Sequence, residues 1–257
     1  MSYSTEQARL DIAAAHRLGA RMGFNEGFNG GHFTLMAPQR RDLVFTIANG
    51  THWQEVRPDN VIAIDMAGNT VEGIGQVERS AFHIHSALHR ARPDLRCFLH
   101  AHLPYATALS MLEDNRLKPY CQQALRFHSK CAYYDHYNAL AHQGDEGDRM
   151  AAALGNRCSV LFLGQHGVIT GGPSVGQAFH DLYYLERACM NQVMALWTNR
   201  PLREVPEEMA IKAEQQYDSQ RSEAELHFAS LKRLLAMEDA AFAESDRRVA
   251  GGVTVEA

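Results

Sequence analysis

An apolar strand that ends in two histidines, one residue apart, is the feature that most constrains this chain. Residues 96–100 are predicted to form the strand, and His102 and Pro104 follow it directly. Residues two apart on a strand project to the same side, so His100 and His102 lie side by side. Pro104 favours the first turn of a helix. The sequence therefore predicts a strand-to-helix corner that carries two imidazoles, and such corners commonly hold functional residues.

Short apolar strands alternate with amphipathic helices over most of the chain. Helices are predicted at residues 5–22, 80–92, 104–112, 147–154 and 175–197, and strands at 32–36, 43–47, 61–65, 70–71, 96–100, 130–134 and 159–163. This alternation is typical of an α/β protein. The candidate boundary near residues 199–206 gives one domain over residues 1–200 and a helical C-terminal extension over residues 201–257. One polar helix is predicted at 206–237 within that extension.

Composition narrows the class of protein. The chain has 257 residues, of which 46% are hydrophobic, and a formal net charge of -5. Such a chain is not expected to bind nucleic acid or an anionic membrane surface. It has no apolar run of the roughly 18 residues that a membrane span needs, and its first residues do not resemble a secretory signal. The five cysteines are irregularly spaced, which indicates free thiols in a reducing compartment. We therefore expect a cytoplasmic protein.

The spacing of the 14 histidines separates the candidates for metal binding. His83 and His85 lie in a predicted helix, where residues two apart point about 200° from each other and cannot hold one ion. His100 and His102 can hold one, and His166 follows a second buried strand. If the two strands are neighbours, three imidazoles converge, as in catalytic metal sites with an open coordination position. The alternative is an ordinary pair of polar residues at the end of a strand.

Three segments resemble, in order and spacing, the class II aldolase and adducin head family. ARPDLRCFLHAH at residues 91–102 is similar to the ARPD…HxH segment of the family, QHGVI at 165–169 to its NHG segment, and residues 23–33 to its early glycine-rich loop. The resemblance implies a three-layer α/β/α fold around a mixed, largely antiparallel sheet. It also implies a homo-oligomer, usually a tetramer, with active sites between subunits. In the family, the histidines that correspond to His100, His102 and His166 bind Zn²⁺ or another divalent ion.

The sequence departs from the aldolases of this family at the start of the helix before HxH. Those enzymes have Ser-Ser-Glu there, and the glutamate position is Ala81 here, which can neither bind a metal nor take a proton. Glu78 lies three residues earlier and is a candidate catalytic residue, with an ordinary carboxylate at a helix start as the alternative. The phosphate-binding segments are also altered. The candidate substrate-binding residues, for a carboxylate or a phosphate, are His32, Asn49, Gly50, Arg79 and Ser80.

The segment YYDHY at residues 133–137 supplies the remaining catalytic candidates. In epimerase-like members of the family, an aspartate at the corresponding strand end reaches the metal site of a neighbouring subunit. Asp135 or His136 is therefore a candidate proton donor or acceptor. The alternative explanation of the same residues is an aromatic cluster that packs a subunit interface.

The predicted function is that of a divalent-metal-dependent lyase. Its substrate is expected to be a small hydroxy or oxo acid, or a sugar-derived molecule, cleaved by retro-aldol reaction or decarboxylated through a metal-stabilised enediolate. Decarboxylation is favoured because loss of CO₂ needs no base. Zn²⁺ suits three imidazoles best, with Fe²⁺, Mn²⁺ or Co²⁺ as alternatives. Two other functions stay open, an Fe²⁺-dependent oxygenase on the same histidines and a non-catalytic interaction module like the adducin head.

Overall fold

The structure is a computed structural model that describes residues 3–28, 30–138 and 144–251. Within these ranges one eight-stranded sheet has the order β4-β3-β2-β1-β5-β8-β7-β6. The strands are β1 (Gly31–Met36), β2 (Leu43–Ile47), β3 (Val61–Asp65), β4 (Thr70–Glu72), β5 (Cys97–Ala101), β6 (Cys131–Tyr134), β7 (Val160–Leu163) and β8 (Gly167–Gly172). Neighbouring strands are antiparallel except β6 and β7, which are parallel. The sheet is therefore mixed and largely antiparallel, as the resemblance implied.

Helices cover both faces of this sheet. In the described ranges they are α1 (Thr5–Arg21), α2 (Arg79–Ala91), α3 (Pro104–Ser110), α4 (Gly144–Leu154), α5 (Val175–Leu196), α6 (Glu207–Ser219), α7 (Glu223–Glu238) and α8 (Ala240–Gly251). α2 and α4 pack together on one face, around Leu88 and Phe98. α1, α3 and α5 cover the other face, around Phe33 and Phe179. This arrangement is the predicted three-layer α/β/α fold.

The alternation of side chains along β5 decides which residues reach which layer. Phe98 belongs to the core under α2 and α4, whereas Leu99 belongs to the core under α1 and α5. Because side chains alternate along a strand, His100 projects to the α2 side with Phe98. His32 of β1 is the direct partner of His100 in the antiparallel pair, so it shares that side. The sheet thus places two histidines next to each other beneath α2.

The observed secondary structure differs from the prediction in the C-terminal helices, where α8 was not predicted, and at β8. The single helix predicted at 206–237 is two helices, because the chain leaves helical geometry between Ser219 and Glu223. In that break Arg221 reaches α5 and binds the buried carboxylate of Asp181 through two hydrogen bonds of 2.8 and 2.9 Å. β8 was not predicted as a strand. Its sequence GVITGG ends in two glycines, which are not typical of a strand. Gly172 is required by close packing, because a Cβ there would lie 2.7 Å from the backbone nitrogen of Ala178.

The described helices include none that is both long and apolar enough to cross a membrane. All five cysteines fall within the described ranges and are free thiols, with Cys97 and Cys189 buried. The free thiols agree with the expectation from their spacing.

Candidate metal centre

Three histidines converge where β5, β7 and β8 meet. His100 lies on β5, His102 follows the end of that strand, and His166 lies in the turn that joins β7 to β8. One ring nitrogen from each histidine lies within 4.8 Å of the other two. The ring centroids are 4.8 to 5.0 Å apart. The structure therefore brings together the three histidines that the sequence had singled out, which we name the three-His group.

The turn that carries His166 is tightly held. Gln165 has a φ of 58°, in the left-handed region that non-glycine residues seldom adopt. Its backbone N–H donates a 3.1 Å hydrogen bond to the hydroxyl of Ser110. At Gly167 a Cβ atom would lie 2.6 Å from the carbonyl oxygen of Ala101 and 3.1 Å from the His102 ring. Only glycine therefore allows His166 and His102 to approach each other so closely.

Hydrogen bonds on the outer ring nitrogens fix the orientation of two of the three histidines. The Nδ1 of His100 lies 3.0 Å from the carbonyl oxygen of Val168, so Nδ1 must carry the proton. The Nδ1 of His102 lies 2.6 Å from a carboxylate oxygen of Glu26. In a neutral imidazole, a proton on Nδ1 leaves a lone pair on Nε2. Both rings thus have Nε2 free as a ligand atom, with outer partners of the kind that orient metal-binding histidines.

The electrostatics of the site favour neutral imidazoles at His100 and His166. Burial lowers the pKa of His100 well below its ordinary value, and the neighbouring His32 and His166 lower it further. Burial, followed by the proximity of His102, lowers the pKa of His166 to about 4. A neutral imidazole binds a metal without first losing a proton. The donor set therefore fits a borderline divalent ion such as Zn²⁺, and Fe²⁺, Co²⁺ and Mn²⁺ are compatible with it.

A narrow pocket lies beside the three-His group. His32 and Asn49 line it together with Glu78 and Ala81. The His32 ring centroid lies 4.8 Å from that of His100, which joins the pocket to the group. Three of the five predicted substrate-binding residues are not among those that line this pocket. Gly50 lies in the adjoining turn with a φ of 92°, Arg79 is exposed at the start of α2, and Ser80 donates a hydrogen bond to Glu78.

Glu78 is bound to the first turn of α2. Its carboxylate accepts a 2.8 Å hydrogen bond from the backbone N–H of Ala81 and a second bond from the Ser80 hydroxyl. Burial acts to raise the pKa of Glu78, but these hydrogen bonds outweigh it, and the net pKa lies below the ordinary value. A carboxylate held in its ionised form by two donors is a weak base. Glu78 is also outside the three-His group.

Neither Asp135 nor His136 belongs to the three-His group of the same chain. The Asp135 carboxylate accepts hydrogen bonds from Arg116, at 2.7 and 3.1 Å, and from Asn115 at 2.7 Å. The bond from Arg116 is the main reason that the pKa of Asp135 is lowered. His136 is exposed, and its ring lies 6.0 Å from that of Tyr134. Their predicted action on a neighbouring subunit stays a prediction.

A buried chain of imidazoles behind the pocket was missed by the sequence analysis. The Nδ1 of His32 lies 2.8 Å from the Nε2 of His85, and the Nδ1 of His85 lies 2.5 Å from the hydroxyl oxygen of Thr34. That oxygen lies 2.9 Å from the Nε2 of His89. Burial lowers the pKa of all three histidines, so each is neutral near pH 7. The spacing of His83 and His85 excluded chelation, but it gave no sign of this chain.

Three proton arrangements satisfy every bond in this chain, because the Thr34 oxygen can accept one hydrogen bond or two. In the first, each proton is donated away from His32, and the Nδ1 of His89 is left as a buried N–H. In the second, each is donated toward His32, whose Nε2 then carries a proton on its free side. In the third, His85 and His89 both donate to Thr34, whose own buried O–H then has no acceptor among the described residues. The Nδ1 of His89 has no partner among the described residues. Because an orphaned buried donor is rarer than an unpaired acceptor, the second arrangement is favoured. His32 is then a neutral hydrogen-bond donor at the pocket.

Comparison with known proteins identifies the family. A family model described as Class II Aldolase and Adducin N-terminal domain matches residues 10–193. The chain belongs to this family. The matched range includes β1 to β8 and the three-His group, and it ends within α5.

Individual relatives of this class II aldolase family member differ in their named activities. Decarboxylase NovR from Streptomyces niveus is 31% identical over 239 residues, which cover 90% of this chain and 87% of NovR. A 4-hydroxy-3-prenylphenylpyruvate oxygenase/4-hydroxy-3-prenylbenzoate synthase from Streptomyces roseochromogenus subsp. oscitans is 30% identical over 197 residues, covering 76% of this chain and 70% of that enzyme. The crystal structure of an aldolase II superfamily protein from Pseudomonas syringae superposes with a TM-score of 0.85 at 30% identity, covering 94% of this chain and 97% of that one.

Proposed function

We propose that this protein is a divalent-metal-dependent lyase that decarboxylates a small hydroxy or oxo acid. The observation that carries the proposal is the three-His group itself. Its three imidazoles lie within ligand distance of one another, and the outer nitrogens of His100 and His102 are bound to Val168 and Glu26. A purely structural cluster of buried histidines would not need three free ligand atoms directed at one point. Three protein ligands also leave coordination positions open for a substrate.

In this proposal, the three-His group binds the metal, and His32 and Asn49 orient the substrate. A divalent ion held by the three histidines would supply Lewis-acid stabilisation of negative charge on substrate oxygens. His32 lines the pocket beside the group and, as a neutral donor, would hydrogen-bond to an oxygen that becomes negative during reaction. Asn49, at the same pocket, offers an amide that can donate to a carboxylate. These residues would hold the substrate without transferring a proton.

The described residues of this chain that line the pocket include no free carboxylate, which favours decarboxylation over aldol chemistry. The position that is glutamate in the aldolases is the buried Ala81, and Glu78 is bound to the start of α2. Retro-aldol cleavage needs a group that removes a hydroxyl proton, whereas loss of CO₂ does not. A relative that is 31% identical over 90% of this chain is named a decarboxylase, which agrees with this choice. Retro-aldol cleavage is the second reaction to test on the same site.

Metal analysis tests this proposal most directly. We expect about one Zn²⁺ or Fe²⁺ per chain in the protein purified from metal-replete medium, and loss of that ion in His100→Ala. The matched control is His83→Ala, which removes a partly exposed histidine of α2 outside the group. CO₂ release from a panel of aromatic and aliphatic 2-oxo and 2-hydroxy acids should depend on the bound ion. A protein free of metal whose His100→Ala variant folds normally contradicts the proposal.

An Fe²⁺-dependent oxygenase is the second candidate, because one relative at 30% identity is named an oxygenase. The same three histidines would hold Fe²⁺ and leave open positions for O₂ and substrate. Turnover under strict anaerobiosis separates the two functions, since only the lyase continues. An adducin-like interaction module would need no metal, and the metal analysis above tests it.

We also propose that the active protein is a homo-oligomer, with a tetramer expected from the family resemblance. In such an assembly Asp135 or His136 would reach the three-His group of a neighbouring subunit. Light scattering coupled to gel filtration measures the subunit number. Mixing inactive His100→Ala subunits with inactive Asp135→Asn subunits tests the sharing, because activity should return only if one subunit completes the site of another.

A further inference from the structure

We propose that a second site, separate from the three-His group, binds a small oxyanion through Arg126. The site is an open cleft of about 510 Å³ between α5, α6 and α7. We name it the Arg126 cleft. Polar side chains from all three helices and from the 3₁₀ turn Ala124–Phe127 line it. These include Arg126, His180, Tyr184, Tyr217, Gln220 and His227. The cleft lies on the α5 side of the sheet, whereas His100 projects to the α2 side.

Arg126 has no carboxylate partner among the residues that the structure describes. Its guanidinium carbon lies 4.0 Å from the ring centroid of Tyr184 and 4.0 Å from that of Tyr217, so aromatic rings cover both of its faces. None of the ion pairs between described residues includes Arg126, although Arg221 nearby is paired with Asp181. A guanidinium with covered faces still presents its N–H groups along its edge. That edge matches the two oxygens of a carboxylate or phosphate.

The hydrogen bonds behind Arg126 fix a second donor in the cleft. A guanidinium can only donate, so its bond of 3.2 Å to the Nε2 of His180 requires a lone pair there. The proton of neutral His180 is then on Nδ1, which lies 3.1 Å from the Nδ1 of His227. The Nδ1 of His227 accepts this hydrogen bond, so the proton of neutral His227 must be on its Nε2. Arg126 therefore determines that His227, which lines the cleft, carries an Nε2–H donor.

The charges around the cleft favour an anion. Burial, and then the charge of Arg126, lower the pKa of His180 to about 3, and the same two causes lower that of His227, so both rings are neutral as the hydrogen bonds require. Two nearby carboxylates are neutralised, Asp181 by Arg221 and Asp218 by Lys130. Glu223 also lines the cleft and opposes an anion at its own end. The oxyanion is therefore expected at the end formed by Arg126 and His227.

The position of the cleft gives the C-terminal extension a role. Arg126 and His180 lie within residues 10–193, which match the family model, whereas Tyr217 and His227 lie beyond them. An anion bound by Arg126 and His227 would join the 3₁₀ turn of the family domain to α7. Binding should therefore stabilise the docking of α6 and α7 on α5. This role is independent of the reaction at the three-His group.

Calorimetric titration at constant ionic strength tests the proposal, with inorganic phosphate and sodium acetate as separate probes. We expect saturable binding of one probe per chain with a dissociation constant on the order of 1 mM, as a single bidentate contact would give. Saturation by phosphate alone would assign the site to a phosphate group, and saturation by acetate to a carboxylate. Arg126→Gln should weaken binding at least tenfold. The matched control is Arg187→Gln, which removes an exposed arginine of α5 that lies over Tyr183.

A second variant and a second control keep the test decisive. His227→Phe leaves Arg126 in place and removes the Nε2–H donor together with the Nδ1 acceptor of His180, and it should weaken binding several-fold even if Arg126→Gln fails to fold. His100→Ala should leave binding unchanged, because the cleft is separate from the three-His group. Binding that survives in Arg126→Gln and His227→Phe, or that disappears in His100→Ala, contradicts the proposal. So does wild-type protein with no saturable binding up to about 10 mM of either probe, ten times the expected constant.

Discussion

The carboxylate of Glu26 lies 2.6 Å from the Nδ1 of His102, although 76 residues separate them in the chain. Glu26 is placed by two backbone hydrogen bonds with Gly30, of 2.9 and 3.3 Å, which close the glycine-rich loop before β1. The carboxylate is itself largely exposed. In metal sites, such a partner on the outer nitrogen fixes the ring and raises its basicity. The early loop therefore acts on the three-His group through one of its ligands.

Replacing Glu26 should weaken metal binding without unfolding the protein. Glu26→Ala removes the partner of His102, and we expect a loss of about 10- to 100-fold in metal affinity. Glu26→Gln keeps an acceptor but loses the charge, so its effect should be smaller. Competition with a chromophoric chelator measures the affinity. Glu113→Ala, which removes an exposed glutamate elsewhere, is the control. Equal affinities in Glu26→Ala and Glu113→Ala would show that Glu26 does not support the ligand.

The Thr34 hydroxyl contacts two buried imidazoles, so its removal should lower the free energy of unfolding more than removal of one hydroxyl usually does. In Thr34→Val the Nδ1 of His85 and the Nε2 of His89 lose their shared partner. We expect the free energy of unfolding to fall by roughly 2–4 kcal/mol, because two buried polar atoms are left unpaired. Urea unfolding measures it. Thr46→Val on the neighbouring strand is the matched control, since its hydroxyl makes one bond, to the carbonyl oxygen of Phe33, and about 1 kcal/mol is expected there. A similar loss in both variants would argue against the chain.

His16 should make the protein sensitive to acid. It is fully buried, and burial lowers its pKa from 6.5 to about 4. Between these pH values the unfolded chain binds a proton that the folded protein does not. The free energy of unfolding contributed by this group therefore falls as the pH falls from 6.5 to 4, by up to about 1.4 kcal/mol per pH unit. His16→Leu should show a slope shallower by that amount in urea unfolding at several pH values. Parallel profiles for the two proteins would refute this assignment.

Glu186 should make the protein less stable as the pH rises, the opposite of the effect of His16. Its carboxylate accepts hydrogen bonds of 2.9 Å from the backbone N–H groups of Tyr105 and Ala106, yet burial outweighs them and raises its pKa to about 7. The folded protein holds a proton that the unfolded chain loses above pH 4.5. Its contribution to the free energy of unfolding therefore falls as the pH rises from 4.5 to 7, by about 3 kcal/mol in all. Glu186→Gln should abolish this fall. A variant whose stability declines as steeply as that of the wild type would show that Glu186 ionises freely.

The sequence was sufficient to predict the three-His group because each of its histidines lies at or just after the end of an apolar strand. The period-two geometry of a strand places His100 and His102 on one side, and His166 follows a second buried strand, in a segment that the resemblance also matched. The antiparallel pairing of β5 with β8 then brings His166 to the same edge. Bounds of strands such as Leu43–Ile47 and Val61–Asp65 agree with the prediction because their apolar runs are short and flanked by polar or turn residues.

What the sequence could not reveal depends on residues far apart in the chain. His32 and His85 are 53 positions apart, and only the packing of α2 on β1 makes them partners. Glu26 lies in a glycine-rich loop whose conformation no periodic pattern predicts. The break between α6 and α7 depends on Arg221 reaching a buried aspartate, and polar helical residues on either side gave no sign of it. Histidines at core positions look, in sequence, like surface residues.

The chain of buried imidazoles ends at His89, whose Nδ1 has no partner in the described part of the chain. Among the described residues, no hydrogen-bonded group continues the chain beyond His89, so the chain does not connect His32 to a further proton donor. Decarboxylation consumes one proton for each CO₂ released. On the proposed function, that proton would reach the substrate from the pocket side, from solvent or from Asp135 or His136 of a neighbouring subunit. His32 would then keep its proton throughout the reaction, as its role in holding the substrate requires.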